Sequence, residues 1–136
     1  MVSHFEQTGH QHCECNPYVC CCCSFQATMR GAIEIMTNEV DEWCQKLGWR
    51  DTTISFGDGI ALLHSEVSEA LEAYRTRKLE AWEENGKPQG VGSEYADILI
   101  RLLDECAKWG IDLYGEYRRK MAYNWLRPYR HGGKEL

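Results

Sequence analysis

Two short stretches carry acids at a spacing that could do chemistry. LLHSEVSEALEAYR holds Glu66 and Glu69, and SEYADILIRLLDE holds Glu94 and Asp97. In each pair the acids are three residues apart, so on a helix they share one side, with Cβ atoms about 5–6 Å apart. At about 100° per residue, Glu66 falls between Leu63 and Ala70 on one flank and Ala73 and Leu62 on the other. Solvating it fully would expose Leu62 or Ala73. Glu69 lies further round, at the edge of the apolar face. On the second stretch Leu99, Leu103, Ala96, Ile100, Cys106 and Ala107 make the apolar arc. Glu94 is expected opposite that arc and Asp97 at its border. Arg101 and Lys108 are spaced to pair with Asp97 and Asp104 at i, i+4. Taken alone, the second helix reads as an ordinary charged face.

Together the pairs say more. Two antiparallel helices of a bundle can bring both pairs to one cleft. Four carboxylates that close repel one another and cannot all stay ionised without a compensating charge. A hard divalent cation supplies it, and an oxygen-only ligand set favours Mg²⁺ or Mn²⁺ over zinc. Mg²⁺ held by carboxylates keeps waters and meets phosphate oxygens, which points to a phosphoanhydride substrate. A di-iron carboxylate bundle would need Glu-x-x-His on two helices, and neither acid pair ends in histidine.

Phosphate also calls for cations. Lys120, Asn124 and Arg127 are spaced four and then three apart and share one helical face, which Tyr117 joins. A lysine, an amide and a guanidinium in line can clamp a polyphosphate. The competing reading is a solvated helix end whose cations complement the dipole. Beyond them, RHGGK, with His131 and Lys134, offers backbone amides that could approach an anion closely.

Four helices are needed to position these groups. The first is expected over residues 25–47, where Phe25, Met29, Ile33, Met36, Val40, Trp43 and Leu47 form one stripe. Gly48 is its C-cap candidate. The second spans residues 59–84, with Asp58 as a capping residue and Ile60, Leu63, Val67, Ala70, Leu71 and Tyr74 on its inner face. ENGKPQGVG breaks it. The third starts at Ser93 as N-cap and runs to Trp109, ended by Gly110. The fourth is capped by Asp112 and reaches Trp125 or Leu126, where Pro128 limits it. Tyr95, Trp109 and Trp125 are expected in the core, as are Cys44 and Cys106. No strand pattern competes, so the expected class is all-α, a helical bundle.

The totals restrict the rest. The chain has 136 residues, enough for one domain, with a formal net charge of −6. That balance excludes a global basic field for a nucleic acid polymer. No apolar run approaches the ~20 residues of a membrane helix, and a cytoplasmic protein is the expectation. Six of eight cysteines fall within residues 13–23, four of them consecutive. A disulfide framework would spread them through the fold. Residues 1–24 therefore read as a cysteine-rich segment apart from a domain at 25–136. Its cysteines and histidines are either zinc ligands or part of an unstructured tail.

SEVSEALEAYR, SEYADILIRLLDECAKWGIDL and KMAYNWLRPYRHGGK together resemble the MazG-like, all-α nucleoside triphosphate pyrophosphohydrolases. The resemblance covers residues 25–134. The family signature is E-E-x-x-E followed by E-E-x-x-D. Here Ser65 and Ser93 stand where the leading acid of each doublet would be, and Glu66, Glu69, Glu94 and Asp97 match the rest. The resemblance implies a four-helix bundle completed by oligomerisation, as a homodimer or homotetramer. It implies Mg²⁺-dependent cleavage of a (deoxy)nucleoside triphosphate to the monophosphate and pyrophosphate. Glu66, Glu69, Glu94 and Asp97 would hold the metal, one of them orienting the attacking water. Lys120, Asn124 and Arg127 would contact phosphates. Two alternatives stand beside it: a non-catalytic helical oligomer that binds nucleotides or partners, and a metal-binding or redox-responsive protein acting through residues 13–23.

Overall fold

The structure, a computed structural model, describes residues 21–129, with side chains from residue 28 onward. The side chains of the cysteine-rich segment, and Arg130, His131 and Lys134, lie outside the described residues. The elements in chain order are α1 (Cys21–Lys46), α2 (Phe56–Arg77), β1 (Trp82–Glu84), β2 (Lys87–Gln89), α3 (Val91–Trp109) and α4 (Leu113–Trp125). The chain is thus mostly helical, as its periodicity demands.

Local chemistry explains the boundaries. Ser55, not Asp58, is the N-cap of α2. Its Oγ accepts from the Asp58 N–H at 3.2 Å, and the Asp58 carboxylate accepts from the Ser55 N–H at 2.9 Å, a reciprocal capping box. Asp112 caps α4 as expected, accepting from the Gly115 N–H at 2.9 Å. Gly110 ends α3 in the left-handed conformation, with φ +64°.

Between α2 and α3 the structure departs from the expectation. The second helix stops at Arg77, and residues once expected in its last turns form a two-stranded antiparallel hairpin. Its loop is Asn85-Gly86, both at positive φ (52° and 81°), with Glu84 paired to Lys87. Asn-Gly is the sequence most suited to a two-residue hairpin turn, because both central residues must be left-handed. Nor does Ser93 cap α3; its hydroxyl donates to the Pro88 carbonyl at 3.1 Å. The cap is Gly90, at φ +110°, where an added Cβ would come within 2.7 Å of the Glu80 carbonyl oxygen.

Helix α3 is the centre of the fold, packing along both α2 and α1, while α4 meets α1. Helices α2 and α3 run antiparallel: Gly59 lies against Glu105, and Glu66 against Arg101. The α4 contact is tied by Arg30, which donates to Asp112 at 3.1 Å and lies 4.8 Å over the Tyr114 ring. Val40, Cys44 and Leu103 form the buried cluster, with Ile33 and Leu113 packed on it. Cys44 and Cys106 are both free and buried.

Several residues expected inside are not. On α2, Ala70 is buried and Leu63 half-buried, but Ile60, Val67, Leu71 and Tyr74 are exposed, Val67 by 49%. The face that meets α3 is instead Gly59, Leu63, Glu66, Ala70 and Ala73, rotated toward the small residues that let two helices approach closely. Met36, Trp43 and Leu47 of the α1 stripe are exposed, as are Tyr95, Trp109 and Trp125, the last by 81%. Among the described residues, a single chain therefore leaves most large apolar side chains in water. No helix among the described residues is long and apolar enough to cross a membrane.

Among the described residues Leu103 is the most enclosed large side chain, 2% exposed. Leu103→Ala should cost about 2–5 kcal/mol of stability. Urea denaturation followed by far-UV circular dichroism checks it.

Candidate metal centre and cleft

The antiparallel α2–α3 pair brings one acid of the first stretch to both acids of the second. Ligand oxygens of Glu66, Glu94 and Asp97 lie within 4.8 Å of one another. Glu66 and Glu94 are 6% and 5% exposed, and Asp97 is half-buried. The burial of Glu94 overturns its expected place opposite the apolar arc. Antiparallel packing against the small-residue face of α2 turns that side of α3 inward. Glu69 is exposed and stands outside the trio, yet it borders the same cleft.

The electrostatics of Glu94 follow from this placement. Burial pushes its carboxyl above the usual range, and the charges of Glu69, Asp97 and Glu66 push it further, against a smaller opposing pull from Lys87. Its Oε2 is buried with no hydrogen-bond partner. A buried carboxylate oxygen without a donor beside three more acids is a set of ligands that could hold a cation. That orphaned oxygen fits a hard divalent ion, and so does the all-oxygen chemistry of the trio.

Beside the trio lies a cleft of about 420 Å³. α2 and α3 line one part of it, with Leu62, Glu66, Glu69, Asp97, Ile100 and Arg101. Trp43 and Trp49 line another part, their rings stacked with centroids 6.4 Å apart and planes 28° apart. Lys87 reaches it from the hairpin.

At the far end of the α2–α3 contact the charges are matched within the chain. Arg50 donates to Asp41 at 2.6 Å and to Asp104 at 2.5 Å. Lys108 bridges Asp104 at 2.6 Å and Glu105 at 3.0 Å, and the Trp109 indole N–H donates to Glu105 at 2.8 Å. Burial pushes Asp104 up, but the hydrogen bonds from Lys108, Arg50 and Cys44 outweigh it and hold the carboxyl below the usual range. Burial, then the Asp104 charge and hydrogen bond, push the Cys44 thiol up to about 11, so it stays protonated and unreactive at neutral pH. An added Cβ at Gly59 would overlap the Glu105 carboxylate, which would have to move from its present position.

Two sequence expectations change here. Arg101 pairs with Glu66 across the helix interface, Nε to Oε1 at 2.5 Å, and not with Asp97. Lys108 does pair with Asp104 at i, i+4. On α4, Lys120, Asn124 and Arg127 are not among the residues that line the cleft. The Lys120 ammonium lies 5.6 Å from the Tyr123 ring, Arg127 is exposed, and the Asn124 Oδ1 is buried without a partner. The structure thus joins three of the four expected acids, keeps the fourth on the cleft, and leaves the α4 group elsewhere in the chain. Glu105, Arg50 and Lys87 were not legible beforehand. Arg50 meets acids on α1 and α3 and Lys87 reaches the cleft from the hairpin, while the i+3 and i+4 spacing of Lys108 and Trp109 from Glu105 was the only local hint of its contacts.

Comparison of the chain with family models, with curated proteins and with solved structures finds no match.

The strain at Glu94 is measurable. A carboxyl whose pKa is raised by folding contributes most to stability below its unfolded value, and that contribution is lost as pH rises through the folded value. In the metal-free protein Glu94→Gln should therefore raise stability at neutral pH by about 1 kcal/mol, the scale of one relieved buried polar group. The gain should fade below pH about 4, where the unfolded-state acid is itself protonated. Urea titrations in EDTA across this pH range give the answer.

Proposed function

We propose that this chain is a Mg²⁺-dependent nucleoside triphosphate pyrophosphohydrolase of the MazG-like kind. The observation that carries the reading is the convergence of Glu66, Glu94 and Asp97 within 4.8 Å at the edge of a 420 Å³ cleft, with the Glu94 Oε2 left unpartnered. Glu66, Glu94 and Asp97 would hold Mg²⁺ or Mn²⁺. When bound, that ion neutralises phosphate charge and favours attack by water at phosphorus.

The chain's own groups then divide the work. Water attacks the α-phosphorus, and the bond from that phosphorus to the α–β bridging oxygen breaks. Pyrophosphate leaves, and a nucleoside monophosphate remains. Glu69, which lines the cleft outside the trio, would orient the water and accept its proton. Trp43 and Trp49 offer a flat aromatic wall of the kind a base stacks on. Lys87 and Arg101 are the cleft cations nearest in kind to a phosphate site. Lys120, Asn124 and Arg127 would have to reach phosphate from a neighbouring subunit.

The same reading includes assembly as a homodimer or homotetramer. Its support is the exposed row Ile60, Val67, Leu71 and Tyr74 on α2, joined by Tyr95, Leu99 and Leu102 on α3. Rows of this length at helical spacing are ordinarily covered.

A panel of NTPs and dNTPs with Mg²⁺ should release pyrophosphate from at least one nucleotide, measured by a coupled assay. Asp97→Asn and Glu66→Gln should each lower kcat by about 100-fold or more. Failure with the whole panel would leave the non-catalytic, nucleotide- or partner-binding oligomer. Val67→Glu should shift the mass in light scattering toward the single chain; an unchanged mass would remove α2 from the interface.

A further inference from the structure

One contact in the acid site sets a cation of the chain itself against any metal the trio would hold. Glu66 is buried at the middle of the α2–α3 contact, and its Oε1 already accepts from the Arg101 guanidinium. The same carboxylate is one corner of the trio with Glu94 and Asp97. The guanidinium already neutralises this carboxylate, and its positive charge repels an arriving dication. Glu94, by contrast, has a buried oxygen with no donor at all. The site therefore holds one neutralised acid and one unsatisfied acid side by side.

Arg101 is placed to let go. It lies one helical turn beyond Asp97 on α3, so the two share a face. Its side chain is 37% exposed, while that of Glu66 is 7% exposed, and it lines the same cleft as Glu69 and Lys87. Its contact with Glu66 is made through Nε, the inner nitrogen of the group. A long, partly solvated side chain can swing within the cleft, whereas the buried carboxylate cannot follow it.

We propose that Arg101 is a displaceable counter-ion: it neutralises Glu66 in the metal-free protein, yields that carboxylate to the divalent cation, and turns its guanidinium to the substrate's phosphates. The exchange lets a buried carboxylate stay charged in both states. It also couples metal entry to the appearance of a phosphate-binding group. The inference rests on the metal-site reading of the trio, and its test separates the two.

The experiment is Mn²⁺ titration of the full chain without nucleotide, with free Mn²⁺ read by electron paramagnetic resonance. Arg101→Gln should bind Mn²⁺ about 10-fold more tightly than the natural protein, with Arg101→Lys between them. Thermal melting gives a second readout. Without metal, Arg101→Gln should melt lower, because Glu66 is left buried and unpaired, and Mn²⁺ should raise its melting temperature more than it raises that of the natural protein. In turnover, Arg101→Gln should raise KM for the nucleotide about 10-fold. Equal or weaker Mn²⁺ binding by Arg101→Gln overturns the counter-ion role even if hydrolysis is found. Tighter Mn²⁺ binding with no hydrolysis of any nucleotide upholds the exchange and sinks the hydrolase reading. No Mn²⁺ binding by either protein removes both.

Discussion

Carboxylates are hard to bury, and among the described residues three of them, Glu66, Glu94 and Glu105, are buried along a single helix–helix contact. The contact exists because α2 presents Gly59, Ala70 and Ala73 to α3, and residues that small let two backbones come close. Close packing removes water from whatever acids share the seam. Each charge left there must find a positive partner within the protein, take up a proton or meet an ion from outside. The rest of the architecture follows from how that demand is met at each end.

At one end it is met internally. Asp41, Arg50, Asp104, Lys108, Glu105 and the Trp109 indole form a chain of contacts that ties the loop after α1 to α3, with the protonated Cys44 thiol beneath. Every acid in it has a donor. At the other end Glu66 has Arg101, while Glu94 has an oxygen without any donor and three acids nearby. A closed network and an open one thus stand about three helical turns apart on α3. The aromatic pair Trp43–Trp49 and the hairpin lysine Lys87 surround the same opening.

How much of this could be read from residues alone varies by element. The helices were legible because their apolar residues recur at three- and four-residue steps and because Gly110 and Asp112 punctuate them. The hairpin was announced by Asn85-Gly86, but its strands have only three residues each, too short to show an alternating pattern. Glu66 was legible as an acid inside an apolar face. Glu94 was not, because the apolar arc of α3 is defined by its larger side chains, and those face away from the α2 seam. The same inversion explains Val67, Leu71 and Tyr74. Side-chain size marked them as the core face, yet the seam with α3 selects small residues, which leaves the larger ones open on the single chain.

The order of residues by itself determined the helical character, the Gly110 and Asp112 caps, and the pairing of acids three apart on two neighbouring helices, since each depends on contacts within one or two turns. Which acids face each other, which of them lose water, and which cation serves each were decided only by the antiparallel seam of α2 and α3. Those outcomes depend on side chains far apart in the chain, such as Glu66 and Arg101, 35 positions apart, whose meeting no local spacing encodes.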